Sequence, residues 1–298
     1  MTSLVAYAAS FITKIIESLP DAIARKPHLH RTIGEIEPFI RHRVLHASDL
    51  VNKNVLIVGD VHGCYDEMRG LIEQTRQAIT DGRELMVLFV GDLVRKGPES
   101  LKVLRYVRDT TCVYSVRGNH EEKVLKSIVA HKNGSPVKVT LSETDLKWIH
   151  ELTAEDFSML KALPYTISIP ALRITLVHGG VIPGRKTLAT PPNVMMTLRE
   201  VMWTDDAFHG EVLRPCEDNE CGQAWARHWG GPEHIYFGHD AARKVQKHKN
   251  ATGLDSGCVY GGDLTGVLLS LKDHPDTVEC VKREFVKFKS LKSYRAIK

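Results

Sequence analysis

No apolar stretch of this 298-residue chain approaches the roughly 20 residues that cross a bilayer, which leaves no candidate for a membrane span. Nor does any linker divide it into independent domains. Six cysteines, Cys64, Cys112, Cys216, Cys221, Cys258 and Cys280, are scattered rather than set in the dense framework of small secreted domains, which favours a reducing, cytoplasmic setting. Cys216 and Cys221 alone stand close. Four polar residues separate them and no second pair follows, so they fit zinc pairings poorly and are read as free thiols in a loop. Strong net charge is missing as well: the formal balance is +4, and 43% hydrophobic with 26% charged residues is an ordinary globular composition. That charge is uneven, because seven Lys or Arg meet one Glu between Cys280 and Lys298, leaving the tail at +6 and the remainder at −2. A basic end admits RNA as a partner, although a solvated charged end is the commoner reason for such a stretch.

The first thirteen residues lack any charged side chain. They are too short to span a membrane and lack the basic start of a signal peptide, despite the cleavage-like triplet Ala6-Tyr7-Ala8. Leu4, Tyr7, Phe11, Ile15 and Leu19 recur at helical spacing until Pro20, which predicts an amphipathic helix packed on the body within an extension over residues 1–53, with membrane association or targeting as the alternative reading. His28, His30, His42 and His46 share no spacing with carboxylates or cysteines and are read as surface residues.

What the chain does contain is a repeated form. Val55-Leu56-Ile57-Val58 ends in Gly59-Asp60-Val61-His62-Gly63; the run Leu85 to Val90 ends in Gly91-Asp92-Leu93-Val94-Arg95-Lys96-Gly97-Pro98; Cys112 to Val116 ends in Arg117-Gly118-Asn119-His120-Glu121. Each is followed by a helical pattern, and the repeat of about 30 residues is the length of a βαβ element. Right-handed crossovers then place all three polar turns at one end of a parallel sheet in an α/β fold, where such sheets build their sites. Residues 134–164 read as a helical insert. Strand signals return at Ile167–Ile169 and Ile174–Val177, the latter ending in His178-Gly179-Gly180, and at His234–Phe237, ending in Gly238-His239-Asp240. Residues 181–222 read as long loops around one short helix near Val194–Trp203, and the closing Leu264–Leu271 and Thr277–Phe288 as strands joined by tight turns, so that a second sheet is expected.

Five strand ends thus present Asp60 with His62, Asp92, Asn119 with His120, His178, and His239. Carboxylate, imidazole and amide oxygen together suit borderline to hard divalent ions such as Mn, Fe, Zn or Mg. Asp60 and His62, two apart in an extended segment, share a face and can chelate one ion. Asp92 has two oxygens and could bridge to a second ion on Asn119, His178 and His239. Two ions about 3.5–4 Å apart form the clamp used for in-line attack on phosphorus by a bridging hydroxide. A lone Gly-Asp after a strand is most often a turn. Five such ends in one position relative to their strands are not explained that way.

These motifs, in this order and at these intervals, resemble the phosphoprotein phosphatase superfamily of dinuclear metallophosphatases over roughly Asn54 to Leu271. The resemblance implies a calcineurin-like fold, two mixed β-sheets packed as a sandwich and flanked by helices. It covers a domain over 54–271, followed by a strand and basic tail over 272–298. It implies that Asp60, His62 and Asp92 hold a first metal and Asp92, Asn119, His178 and His239 a second, with manganese or cobalt foremost among the possible ions. It implies that His120 protonates the leaving group while Lys96 and Arg117 neutralise phosphate oxygens, with Arg95 and Asn119 also among the substrate contacts.

One departure from that pattern is informative. Protein phosphatases of the superfamily carry a second Asp in the second motif, which orients the general-acid histidine, whereas this chain has Arg95 and Lys96 there. It also has no SAPNY-like segment near its C-terminus. GDxVxKGP, together with Leu254-Asp255-Ser256-Gly257-Cys258-Val259-Tyr260-Gly261-Gly262, is similar to bacterial diadenosine tetraphosphatases and their eukaryotic ApaH-like relatives. A phosphate leaving group with a second pKa near 6 departs with little proton assistance, unlike a serine alkoxide. The expectation is therefore a phosphoanhydride hydrolase acting on a dinucleoside polyphosphate, polyphosphate or the 5′ cap of mRNA. The alternatives are a serine/threonine protein phosphatase and a non-catalytic nucleotide or RNA binder.

Overall fold

The computed structural model describes residues 36–132, 141–206, 210–216 and 222–296. The expected N-terminal helix over Leu4–Leu19 lies outside them. From the N-terminal side come β1 (His42–Val44), the single turn α1 (Ala47–Leu50), β2 (Lys53–Val58), α2 (Tyr65–Ala78), β3 (Glu84–Phe89), α3 (Ser100–Asp109), β4 (Val113–Ser115) and α4 (Asn119–Lys132). The insert supplies α5 (Glu143–His150) and α6 (Ala154–Ala162). There follow β5 (Thr166–Ile169), β6 (Ile174–Val177), α7 (Pro192–Thr197), β7 (Glu200–Asp206), β8 (Gly210–Pro215), β9 (Gln223–Ala224), β10 (His234–Phe237), β11 (Gln246–Lys247), β12 (Ala251–Gly253), β13 (Asp263–His274) and β14 (Thr277–Lys289).

One sheet runs β14-β13-β2-β3-β4, with β2, β3 and β4 mutually parallel; the other runs β1-β5-β6-β10-β12-β11, with β6 parallel to β10. The continuous apolar runs of β2 and β3 are explained by burial on both faces. Val55, Ile57, Met86 and Leu88 point between the sheets, against Ile167, Ile169, Leu176 and Tyr236. Leu56, Val58, Val87 and Phe89 point the other way, into a core shared with Met68, Leu71, Leu104, Val124 and Leu160 of the helices. A third core, with Met195, Trp225, Trp229 and Phe237, covers the outer face of the second sheet. This is the expected sandwich, and it brings the C-terminal ends of β2, β3 and β4 to the same rim as those of β6 and β10.

Two expectations need correction. Residues 181–222 are not loops around a single helix: after α7, strands β7, β8 and β9 form an antiparallel sheet in which Trp203 pairs with Leu213. These strands are short and carry charged residues, so their period-two signal is weak in sequence. Cys216, at the end of β8, is disulfide-bonded rather than a free thiol. Its backbone returns to Glu200 through a 3.0 Å hydrogen bond, a pairing that only the hairpin creates; Cys221 lies outside the described residues. The basic stretch after Cys280 is largely β14, an edge strand whose Lys282 pairs with Glu284 at 2.7 Å and whose Lys287 and Lys289 lie 3.7 and 3.8 Å from Asp263. Lysines on an exposed edge oppose pairing with another sheet, a structural reason for much of that charge. No helix among the described residues is long and apolar enough to cross a membrane.

Candidate active site

The rim where the two sheets meet gathers the predicted strand-end residues. His62, Asp92 and His120 form one group and Asp92, His178 and His239 another, each with donor atoms within 4.8 Å of one another and each able to hold a metal ion. Asp92 belongs to both. His62 Nε2 lies 3.5 Å from Asp92 Oδ2 and 4.0 Å from Asp60 Oδ2, while His178 Nε2 lies 3.3 Å from Asp92 Oδ1. The Asn119 amide reaches the same point: one of its terminal atoms is 3.1 Å from His178 Nε2, 3.2 Å from His239 Nδ1 and 3.2 Å from Asp92 Oδ2. Lone pairs converging from two imidazoles, a carboxylate and an amide are what a cation requires of its ligands.

The backbone is bent to achieve this. His62, Asp92, Arg95, Lys96 and His239 all take positive φ, between 49 and 73°. Left-handed backbone at residues with a Cβ costs of order 1–3 kcal/mol each and persists only where the surroundings impose it. Gly118 is required for a different reason: a Cβ there would collide with the Asp92 carboxylate and its backbone nitrogen.

Hydrogen bonds behind the cluster set the tautomers. Val90 O accepts from His178 Nδ1 at 2.8 Å and Val94 O faces His62 Nδ1 at 3.3 Å, so both rings turn Nε2 toward the carboxylates. Burial and then Lys96 push His62 down to about 3, and burial holds His120 and His239 well below the ordinary range. Neutral imidazole is the ligating form. Burial acts to raise Asp92, but His178 and His120 outweigh it and hold that carboxyl well below its usual range. Asp60 is driven well above its own by burial, then by Asp255 and Asp92. Buried carboxylates converging with His62 and His239, both held in the neutral form, fit a divalent cation, since buried anions need a positive partner.

The calcineurin-like phosphoesterase model matches residues 53–261, the span that contains every one of these groups. The chain belongs to that family. It is a metallophosphoesterase, and so a hydrolase, related to diadenosine tetraphosphatases. Among its relatives, the asymmetrical bis(5′-nucleosyl)-tetraphosphatase PrpE of Bacillus subtilis is 27% identical, over 70% of this chain and 88% of that protein. Serine/threonine-protein phosphatase 1 of Salmonella typhimurium is also 27% identical, over 72% of this chain and 90% of that one. A crystal structure provisionally named a diadenosine tetraphosphatase superposes with a TM-score of 0.65 at 30% identity, covering 85% of this chain and 99% of the other.

Within this phosphoesterase the predicted phosphate contacts do not all reach the rim. Lys96 does: its Nζ lies 2.7 Å from His62 Nε2 and 5.3 Å from the centre of the Tyr260 ring. Arg117 does not. Its side chain is fully buried and donates to Ile36 O at 2.7 Å, Lys161 O at 2.6 Å and Glu122 at 3.0 Å, which makes it a tie between α4, α6 and the segment before β1. Arg95 is held by a carboxylate that no motif announces, donating through Nε and Nη2 to Asp145 of the insert at 3.2 and 3.1 Å. His120 Nδ1, which an orienting carboxylate would serve in protein phosphatases, has no hydrogen-bond partner among the described residues.

Two further residues escaped the motif reading although they lie inside quoted motifs. Glu121 accepts from the backbone nitrogens of Asp92 at 3.0 Å, Val94 at 3.1 Å and Gly118 at 2.8 Å, clamping the second and third turns together. Burial and then Asp92 push it up to about 7. Asp255, buried beside Asp60, receives the Gly257 nitrogen at 3.0 Å. A carboxylate immediately after Asn-His, and another between Leu and Ser-Gly, were the available signals. Asp145 had none, since it lies 50 residues from its partner.

Asp145 also exchanges capping hydrogen bonds with Ser142 at the start of α5. Asp145→Ala should therefore lose a cap and leave Arg95 without this partner, lowering stability by about 2 kcal/mol. Urea denaturation measures this; an unchanged midpoint would show that α5 does not depend on the contact.

Proposed function

We propose that this phosphoesterase hydrolyses phosphoanhydride bonds in nucleotide-type polyphosphates, with diadenosine tetraphosphate the leading substrate and polyphosphate or a capped mRNA end as further members of the class. The observation that carries this reading is His120 Nδ1, which has no hydrogen-bond partner among the described residues. A histidine without a carboxylate behind it is a weak proton donor to an alkoxide, and the need for such a donor is smallest when the leaving group is itself a phosphate.

In this reading Asp60, His62 and Asp92 hold one divalent ion and Asp92, Asn119, His178 and His239 the second, manganese or cobalt by preference. When bound, the ions supply Lewis-acid polarisation of the phosphoryl oxygens and the clamp for in-line displacement. The rest falls to the chain. Lys96, on a flexible stem, offsets charge on the reacting phosphate. His120 holds the proton available to the leaving oxygen. Arg95, fixed against Asp145, lends a fork whose charge is already partly matched, so it positions more than it attracts.

A cavity of about 410 Å³ is lined by Arg227, Arg243, Lys247 and His248 among others, and Arg243 pairs with Asp240 at 2.8 Å. Arg243 is already paired with Glu200 and Asp240, so it is Arg227 and Lys247 that suit the far phosphates of a long substrate. Arg227→Ala should raise KM for diadenosine tetraphosphate about tenfold while leaving p-nitrophenyl phosphate unchanged. Equal effects on both would remove the cavity from the reading.

A second reading, serine/threonine protein phosphatase, draws on the likeness to the Salmonella enzyme. The deciding experiment is one panel with added manganese or cobalt: diadenosine tetraphosphate, polyphosphate, capped RNA and a phosphopeptide. The anhydrides are expected to exceed the phosphopeptide in kcat/KM by about 100-fold or more. A phosphopeptide turned over as well as the anhydrides would overturn the proposal, and no turnover of anything would favour a binder.

A further inference from the structure

Behind the catalytic rim lies a second cluster that the chemistry above does not use. Cys64, directly before α2, Glu67, in the first turn of that helix, and Cys258, three residues beyond Asp255, bring their sulfur and oxygen atoms within 4.8 Å of one another. All three are buried, with Cys64 and Glu67 at 0% exposure and Cys258 at 2%. The Glu67 carboxylate is half satisfied. Oε1 accepts from Tyr294 Oη at 2.9 Å, the Leu291 nitrogen at 3.1 Å and Ser290 Oγ at 3.3 Å, whereas Oε2 has no hydrogen-bond partner among the described residues.

We propose that Cys64, Glu67 and Cys258 form a binding site for one thiophilic divalent cation of the zinc class, separate from the cluster around Asp92. A carboxylate oxygen sealed from water and left without a donor is costly unless a cation meets it. Two cysteines beside it narrow the choice, because sulfur donors select zinc and similar ions over magnesium, calcium or manganese. The Asp92 cluster offers only nitrogen and oxygen, so the two sites differ in the metal they prefer. Binding releases the thiol protons to solvent.

The position gives the site a structural role. Cys64 follows the turn carrying Asp60 and His62, Cys258 follows the turn carrying Asp255, and Glu67 Oε1 already anchors the segment after β14. One ion would lock the three together without touching substrate. This inference does not rest on the substrate assigned above.

Cobalt(II) tests it, because only thiolate ligands give the intense near-ultraviolet sulfur-to-cobalt band and the Asp92 cluster contains no sulfur. The full-length protein, with its Cys216 disulfide intact and its free thiols reduced, should develop the band on titration with cobalt, keep it in Asp92→Asn, and lose it on adding zinc. Cys258→Ser should abolish it, and Glu67→Gln should weaken cobalt affinity at least about tenfold. Absence of the band in the unaltered protein overturns the proposal, as does a band that survives Cys258→Ser. Should that variant not fold, alkylation of the unaltered protein decides: zinc should slow labelling of Cys64 and Cys258 but not of the free, partly exposed Cys112 and Cys280. Labelling that is indifferent to zinc, or slowed only at Cys112 and Cys280, also overturns it.

Discussion

Asp92→Asn is expected to remove hydrolysis of p-nitrophenyl phosphate and of diadenosine tetraphosphate together, by more than about 100-fold, since loss of even an outer-shell partner of a metal ligand costs 10–100-fold. Among the described residues Asp92 is the carboxylate common to both groups that could hold a metal ion, so its neutralisation is expected to weaken both sites at once. Its Oδ1 also accepts from the His120 nitrogen at 3.0 Å, which ties the start of α4 to the second turn. The measurement is steady-state kinetics with manganese in excess, alongside the metal content after gel filtration. Chelation of the unaltered protein should reproduce the loss, and manganese should restore it. A variant that keeps both metal and activity would show that the convergence on Asp92 has another purpose.

The second large effect is on stability. Arg117→Ala should lower the melting temperature by about 10 °C, because breaking a buried charged pair costs about 3–5 kcal/mol and each kcal/mol is worth about 2–4 °C in a domain of this size. Three hydrogen bonds and the stacking of the guanidinium over Tyr165, 5.3 Å from the ring centre, disappear together. Arg117→Lys should recover only part, since an ammonium cannot span two carbonyls and a carboxylate as a planar fork does. Differential scanning calorimetry checks this. If the motif's phosphate role applied instead, the melting temperature would hold and KM would rise.

Arg95 and Lys96 bear on substrate choice in a way that changes how it should be tested. Exchanging them for the Asp-Arg of protein phosphatases is expected from the motif alone to raise phosphopeptide turnover relative to dinucleoside polyphosphate turnover. In the folded chain Arg95→Asp would set a second carboxylate against Asp145, which is itself buried. The exchange is therefore informative only with Asp145→Asn in the same molecule. Without it, electrostatic repulsion would be read as a failure of catalysis.

The positions of the candidate ligands are readable from the sequence, because each sits at the end of a strand and strand ends are local. A run such as Val55–Val58 is apolar on both faces, so it must lie in the interior of a sheet covered on both sides; the polar turn that follows it must then emerge at the rim. Asp60, His62, Asp92, Asn119, His178 and His239 were legible for that reason. Where the long side chains go, and what answers them, depends on contacts that exist only in the folded chain. Arg117 turns inward to carbonyls 81 and 44 residues away, and Arg95 meets a carboxylate from the insert. Glu67 faces cysteines on two different turns and a tyrosine 227 residues on. A motif fixes the backbone position of a charged residue, but the direction of its side chain follows from whichever opposite charge or buried oxygen the packing brings within 3 Å, and that depends on contacts no local pattern records.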